Sequence, residues 1–145
     1  MSILIVEDDP VSSKILELNL RRHGYQTIAA RTGKEALECL SSTPDIQLIM
    51  ADIMMPEMNG LELLGKIREH PEWKEIPVVM CTALSDSKTV EKAVELGCRH
   101  YVTKPIHIGP MLRKVHEALE GEVEKTGGSG SRRNPPSEDD KRGDA

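Results

Sequence analysis

A doubly wound α/β domain is the fold class this sequence predicts, and two observations carry that prediction. Short β-branched runs recur five times between residue 1 and about residue 124, and three of them are nearly all apolar. Inner strands of a parallel sheet, covered on both faces, have that composition. Between the runs lie longer stretches whose apolar residues recur at helical spacing. Five repeats of strand then helix are the pattern of an open parallel sheet with helices on its faces.

Each element follows in order. The first strand covers residues 3–6 and ends in Glu7-Asp8-Asp9. Asp9 before Pro10 reads as an N-cap followed by the first helical residue, and Val11, Ile15 and Leu18 fall on one helical face, taken as the inward one. Gly24 stops that helix before a second strand at 25–30. Thr32 and Glu35 have capping-box spacing at the start of helix two, whose inward face is Ala36 and Leu40. The third strand, 46–51, delivers Asp52, and helix three presents Leu63, Leu64 and Ile67. Trp73 belongs to the loop before the fourth strand, 78–82, away from the acidic residues. Helix four, about 88–96, carries Val90, Ala93 and Val94 and stops at Gly97. A fifth strand at 100–103 precedes helix five, about 108–119, with Ile108, Leu112, Val115 and Leu119 along one face.

With 145 residues the chain has the size of one domain. Twenty-four acidic against nineteen basic side chains give a net charge of −5, which argues against direct nucleic-acid binding because no clustered basic face is present to neutralise phosphates. Cys39, Cys81 and Cys98 are an odd number without a CxxC pair and read as reduced thiols, with Cys81 a small buried apolar residue. No apolar run approaches a membrane span and the N-terminus does not resemble a signal peptide, so a cytoplasmic setting is expected. Residues 1–122 form the expected domain. Residues 123–145, rich in Gly, Ser and Pro, are expected to be a disordered tail or a linker to a further domain.

In an open parallel sheet the functional crevice lies beyond the carboxyl ends of the strands, where strand order reverses. Strand one delivers Glu7, Asp8 and Asp9 there, strand three Asp52, strand four Thr82, and the fifth strand Lys104. Two carboxylates about 5 Å apart repel by roughly 3 kcal/mol at an effective dielectric near 20. Such a cluster needs protons or a cation, and its hard oxygen donors suit Mg²⁺. With a divalent ion offsetting charge, Asp52 can attack phosphorus, Lys104 can supply a point charge to phosphoryl oxygens, and Thr82 a hydroxyl donor. Metal, nucleophile, cation and hydroxyl together make a phosphoryl-acceptor site.

Four separated motifs carry a resemblance to a known family. Ile3-Leu4-Ile5-Val6-Glu7-Asp8-Asp9, the run from Met50-Ala51-Asp52 through Met58-Asn59-Gly60, Cys81-Thr82-Ala83 and Tyr101-Val102-Thr103-Lys104-Pro105 occur in order, each at the end of a predicted strand. Over about residues 1–122 the chain resembles a response-regulator receiver domain of two-component signalling, similar to the chemotaxis regulators. The resemblance implies a five-stranded flavodoxin-like sheet in the order 2-1-3-4-5. It implies that Asp52 accepts a phosphoryl group from a histidine kinase or phosphotransfer protein. Mg²⁺ would be held by Asp8, Asp52 and the backbone carbonyl of Met54, with Glu7 acting through water. Thr82 and Lys104 would contact the phosphoryl group, Tyr101 would turn inward with Thr82 as a switch, and Lys104-Pro105 would be a cis peptide. Output would pass through the face built from helix four, strand five and helix five, which could also form a homodimer.

Met54 and Leu84, each two residues beyond a site residue, are long and apolar and offer nothing to orient a hydrolytic water, so slow loss of the phosphoryl group is expected. The bland readings are a solvated turn for Glu7 and Asp8, a strand-end cap for Asp52, a surface lysine for Lys104, a strand residue for Thr82 and half-buried packing for Tyr101; Asp9 is a cap, not a ligand. A Mg²⁺-dependent phosphatase with an aspartyl intermediate is the competing enzymatic reading. Enzymes of that class resemble one another in carrying a second Asp two positions after the nucleophile, where Met54 stands here. Flavin mononucleotide binding is disfavoured because Glu7-Asp8-Asp9 would repel its phosphate. The expected protein is a signalling module and not an enzyme, either acting through its own surface or as the receiver part of a larger regulator.

Overall fold

The computed structural model describes residues 2–82 and 87–127. It contains a parallel sheet in the order β2-β1-β3-β4-β5. The strands are β1 (Ser2–Val6), β2 (Gln26–Ala30), β3 (Ile46–Asp52), β4 (Val78–Thr82) and β5 (His100–Thr103). They alternate with α1 (Pro10–Arg22), α2 (Gly33–Ser42), α3 (Gly60–Glu69), α4 (Ser87–Glu95) and α5 (Ile108–Gly127). The expected fold class and strand order both hold. Because β1 lies between β2 and β3, the chain reverses direction across the sheet there, and the crevice opens at the carboxyl ends of β1 and β3.

The apolar strands bury both faces because successive side chains point to opposite sides. Leu4, Val6, Ile49, Ala51, Val78 and Met80 face α2, α3 and α4, where Ala36, Leu40, Leu63, Leu64, Ile67 and Ala93 complete one core. Ile3, Ile5, Leu48, Met50, Val79 and Cys81 face the other way, toward Leu16 and Leu20 of α1 and Met111, Val115 and Ala118 of α5. Burial pushes the Cys81 thiol up to about 12, so it behaves as the small core side chain its setting suggests.

The inward face of α1 differs from the expected one. Val11, Ile15 and Leu18 are 65%, 48% and 50% exposed, and Leu16 and Leu20 are the buried pair. The two stripes lie on roughly opposite sides of a helix with 3.6 residues per turn, so apolar spacing alone could not choose between them. The tight turn after α1 decides the phase: Gly24 takes a positive φ of 91° and the Tyr25 amide donates to the Leu20 carbonyl, drawing Leu20 under the sheet. Val94 of α4 is likewise exposed while its neighbour Ala93 is buried.

Helix termini follow local chemistry. The Asp9 carboxylate accepts from the Ser12 amide with Pro10 in the first turn, as expected. Thr32 caps α2 by accepting from the Glu35 amide, but Glu35 returns its hydrogen bond to the Arg31 amide, not to Thr32, so that box is only half closed. The reciprocal box lies instead at α3, where Asn59 and Glu62 each accept from the other's amide. Helix α5 continues to Gly127, past residue 122 where the sequence suggests the domain ends. Trp73 sits in the α3–β4 connection, stacked on His70 with ring centroids 3.6 Å apart, at the amino end of the sheet and so opposite the acidic residues. Ala83, Leu84 and residues 128–145 lie outside the described residues, as does the Thr82 side chain.

Candidate functional site

Three strand ends bring the acidic and basic residues together. Glu7 follows β1, with its amide donating to the Ala30 carbonyl as if the strand ran one residue further. Asp52 is the last residue of β3 and pairs with Cys81 of β4. Lys104 follows β5 and joins Pro105 through a cis peptide. Its ammonium stands 2.8 Å from Asp52 Oδ2 and 3.2 Å from Glu7 Oε1. The second oxygens are also engaged: Asp52 Oδ1 accepts from the Met54 amide at 3.1 Å, and Glu7 Oε2 from the Asp9 amide at 3.2 Å.

Glu7 and Asp52 are buried, whereas Asp8 is exposed at the rim. Each of the three offers a carboxylate oxygen within 4.8 Å of the others. Burial raises the Glu7 pKa above the usual carboxylate range and the nearby Asp52 charge adds to it, against the opposing Asp9 amide and Lys104. Burial alone would lower the Lys104 pKa, but the hydrogen bond and charge of Asp52, followed by those of Glu7, outweigh it and leave it raised. Three carboxylates with one lysine are an anionic pocket whose oxygens match the preferences of a hard divalent cation, so the residues fit the Mg²⁺ that the sequence suggests.

Gly60 fixes the floor of this pocket. A Cβ there would stand 2.5 Å from the Asp52 carbonyl oxygen and 2.8 Å from the Ile53 Cα, and the Gly60 amide donates to the Ile53 carbonyl at 2.9 Å. The Asn59–Glu62 box starts α3 at this point. Asn59 and Gly60 stand within one of the four motifs, and the N-x-x-E spacing of Asn59 and Glu62 is the sequence signal for this capping role. The loop between Asp52 and Gly60 is tight enough that Glu57 adopts a positive φ of 67°.

The remaining sequence candidates lie on β4, the loop after β3, and β5. Thr82 ends β4 beside Thr103 of β5. Met54 is 70% exposed, its side chain outside the acidic pocket while its amide holds Asp52. Tyr101 is 46% exposed, turned outward over a void of about 10 Å³ bordered by Met80, Val90 and Val94. Among the described residues no helix is long and apolar enough to cross a membrane.

A flavodoxin-like doubly wound sheet with an acidic pocket and a lysine at its carboxyl edge defines the class of this domain. Residues 3–116 match the response regulator receiver domain, and the chain belongs to that family. It is 38% identical over 124 residues to a probable cyclic di-GMP phosphodiesterase of Vibrio cholerae, covering 86% of this chain and 28% of that protein. It is 37% identical to chemotaxis protein CheY1 of Helicobacter pylori, covering 82% of this chain and 97% of that one. The solved signal receiver domain of a signal transduction histidine kinase from Syntrophus aciditrophicus is 36% identical with a TM-score of 0.77, covering 92% of this chain and 97% of that one. The chain thus spans little more than a quarter of the Vibrio relative and nearly all of the Helicobacter one.

Proposed function

We propose that this receiver domain takes a phosphoryl group on Asp52 from a phosphohistidine of a histidine kinase or phosphotransfer protein and thereby switches a protein-interaction face. The observation that carries this is the Lys104 ammonium shared between Asp52 and Glu7 beside Asp8. A carboxylate oxygen of Asp52 forms the bond to phosphorus as the donor's P–N bond breaks, and the imidazole leaves with a proton from solvent. The Met54 amide holds the other Asp52 oxygen, which fixes the plane of the nucleophile. Lys104 is already within reach of the incoming phosphoryl oxygens and offsets their charge. Asp8, Asp52 and the Met54 carbonyl, with Glu7 behind them, are the groups that would hold Mg²⁺, and a bound ion would supply further charge neutralisation. Thr82 gives its hydroxyl to the phosphoryl group.

The phosphodonor has an apolar surface to meet beside this mouth. Helix α1 begins one residue after Asp9, whose amide holds Glu7, and exposes Val11, Ile15 and Leu18 along its outer side. Such a stripe suits an amphipathic helix of the donor. On the output side, the void under Tyr101 is too small for a phenol ring, having room for about one water. Inward rotation of Tyr101 therefore requires Val90 and Val94 to move, which couples the site to α4 and to the α4–β5–α5 face. That face contacts the output partner or a second copy of the domain. The domain is a cytoplasmic signalling module without catalytic turnover. Residues 123–145 serve as a tail, or as a linker to an output domain in a longer regulator, with the first turn continuing α5.

Intact-protein mass after incubation with acetyl phosphate tests this. One phosphoryl adduct is expected with Mg²⁺, and none with Asp52→Asn or without metal. An adduct that survives Asp52→Asn would refute the acceptor. Absence of an adduct from both acetyl phosphate and a panel of purified phosphorylated histidine kinases would refute the phosphorelay function.

A further inference from the structure

A second feature lies at the other end of the sheet. Below the amino ends of β4 and β5 is a cavity of about 230 Å³, walled by Arg68 of α3, Lys74 and Glu75 of the α3–β4 connection, Arg99 and His100 leading into β5, and Ala118 of α5. In a chain of net charge −5, this wall collects three permanent cations, Arg68, Lys74 and Arg99, against Glu75. Arg68 is fixed in place: its guanidinium donates to the Lys74 carbonyl at 3.1 Å and the Ile76 carbonyl at 2.9 Å, with a longer contact of 3.5 Å to Gly97. The Lys74 and Arg99 side chains, by contrast, have no hydrogen-bond or ion-pair partner among the described residues. The cavity holds the volume of roughly seven waters, enough for a compact anion of several charges.

We propose that this cavity binds a small polyanion, a phosphate ester or a polycarboxylate, whose charge is met by Lys74 and Arg99 with Arg68 behind them. Paired cations on separate segments recognise such groups by charge-assisted hydrogen bonds, and the planar Arg99 guanidinium can engage two oxygens at once. The local field has the required sign. His100 is held more neutral than an ordinary histidine by burial first, then by Lys114 of α5 and by Arg99. Lys114 itself is paired with Glu117 at 3.7 Å, so Lys74 and Arg99 carry the uncommitted charge. An anion seated against Arg99 opposes that repulsion and lets His100 protonate more readily. Because Arg68 bridges the α3–β4 connection and the Gly97 turn that ends α4, the ligand also ties those two segments together.

The site stands apart from Asp52 and is tested without metal or phosphorylation. Pyrophosphate and citrate are titrated separately into metal-free protein, with sodium chloride at matched ionic strength as reference, and backbone amide and His100 imidazole signals are followed by NMR. Saturable shifts are expected at Gly97, Arg99 and His100, with the His100 titration midpoint moving upward. Lys74→Ser and Arg99→Ser should each weaken binding about tenfold, both positions being exposed and their spectra reporting whether the fold is kept. Lys34→Ser, which removes the same charge from the exposed side of α2, should leave binding unchanged. Binding of pyrophosphate alone assigns the site to phosphate esters, and equal binding of citrate assigns it to polyanions at large. The proposal is overturned if neither probe gives saturable shifts, if the shifts occur only around Asp52 and Lys104, or if Lys34→Ser weakens binding as much as Arg99→Ser.

Discussion

Lys104 Nζ lies 2.8 Å from Asp52 Oδ2 and 3.2 Å from Glu7 Oε1, so one ammonium answers two carboxylates that are only 5% and 2% exposed. Lys104→Ala leaves both without a cation. Removing one partner of a fully buried pair costs about 3–5 kcal/mol, but Lys104 is a quarter exposed and water screens part of the loss. The expected destabilisation without metal is about 2 kcal/mol in urea unfolding. Saturating Mg²⁺ should restore more stability to the variant than it adds to the wild type, since a divalent cation replaces the missing charge. Equal Mg²⁺ increments in both proteins would show that lysine and metal do not share the same carboxylates.

The close approach of Gly60 to β3 gives a second expectation. A methyl group at that position meets backbone, the Asp52 carbonyl and the Ile53 Cα, which cannot rotate away as a side chain would. Gly60→Ala should therefore cost about 1–3 kcal/mol and displace the end of β3. Phosphoryl-adduct formation with acetyl phosphate should slow in step with that displacement. Gly65→Ala in the same helix, where a Cβ meets nothing within 4 Å, is the control and should leave both properties near wild type.

These residues differ in how far the sequence alone exposes them. Asp52, Glu7 and Lys104 were legible because each terminates an apolar run, and strand ends in a parallel sheet must converge on one edge. The phase of α1 was not, because Val11-Ile15-Leu18 and Leu16-Leu20 are both plausible stripes and only the Gly24 turn selects the second. Thr32/Glu35 and Asn59/Glu62 share the same spacing, yet only the latter closes reciprocally, since Glu35 reaches the Arg31 amide instead. The length of α5 escaped for another reason. Its apolar spacing fades after Leu119, but Glu122, Glu124 and Lys125 are good helix formers and carry it onward.

The lowered His100 pKa makes a signed prediction about acid stability. Burial, then Lys114 and Arg99, disfavour its protonated form in the folded protein. As pH falls, the unfolded chain takes up this proton first, at about pH 6.5. The histidine's contribution is thus fully present above that value and is lost as pH drops toward the lower folded value. In His100→Asn the unfolding free energy should fall less between about pH 7 and pH 5 than in the wild type. Parallel pH profiles for the two proteins would show that His100 titrates alike in both states.

Phosphoryl lifetime depends on whether water can be oriented at Asp52. Met54 is held by its own amide hydrogen bond to Asp52 Oδ1, and its side chain, 70% exposed, carries no group that can direct a water toward phosphorus. Met54→Gln keeps the length of the side chain and its backbone contact while adding an amide that can both donate to and accept from water. If orientation limits hydrolysis, the change should shorten the half-life of the Asp52 phosphoryl group roughly tenfold, equivalent to about 1.4 kcal/mol of barrier. Met54→Leu, equally apolar, should leave the half-life near wild type. The half-lives are read by quenching timed samples of phosphorylated protein and weighing the adduct. Should Gln and Leu give the same half-life, bulk at the mouth governs hydrolysis and water orientation does not.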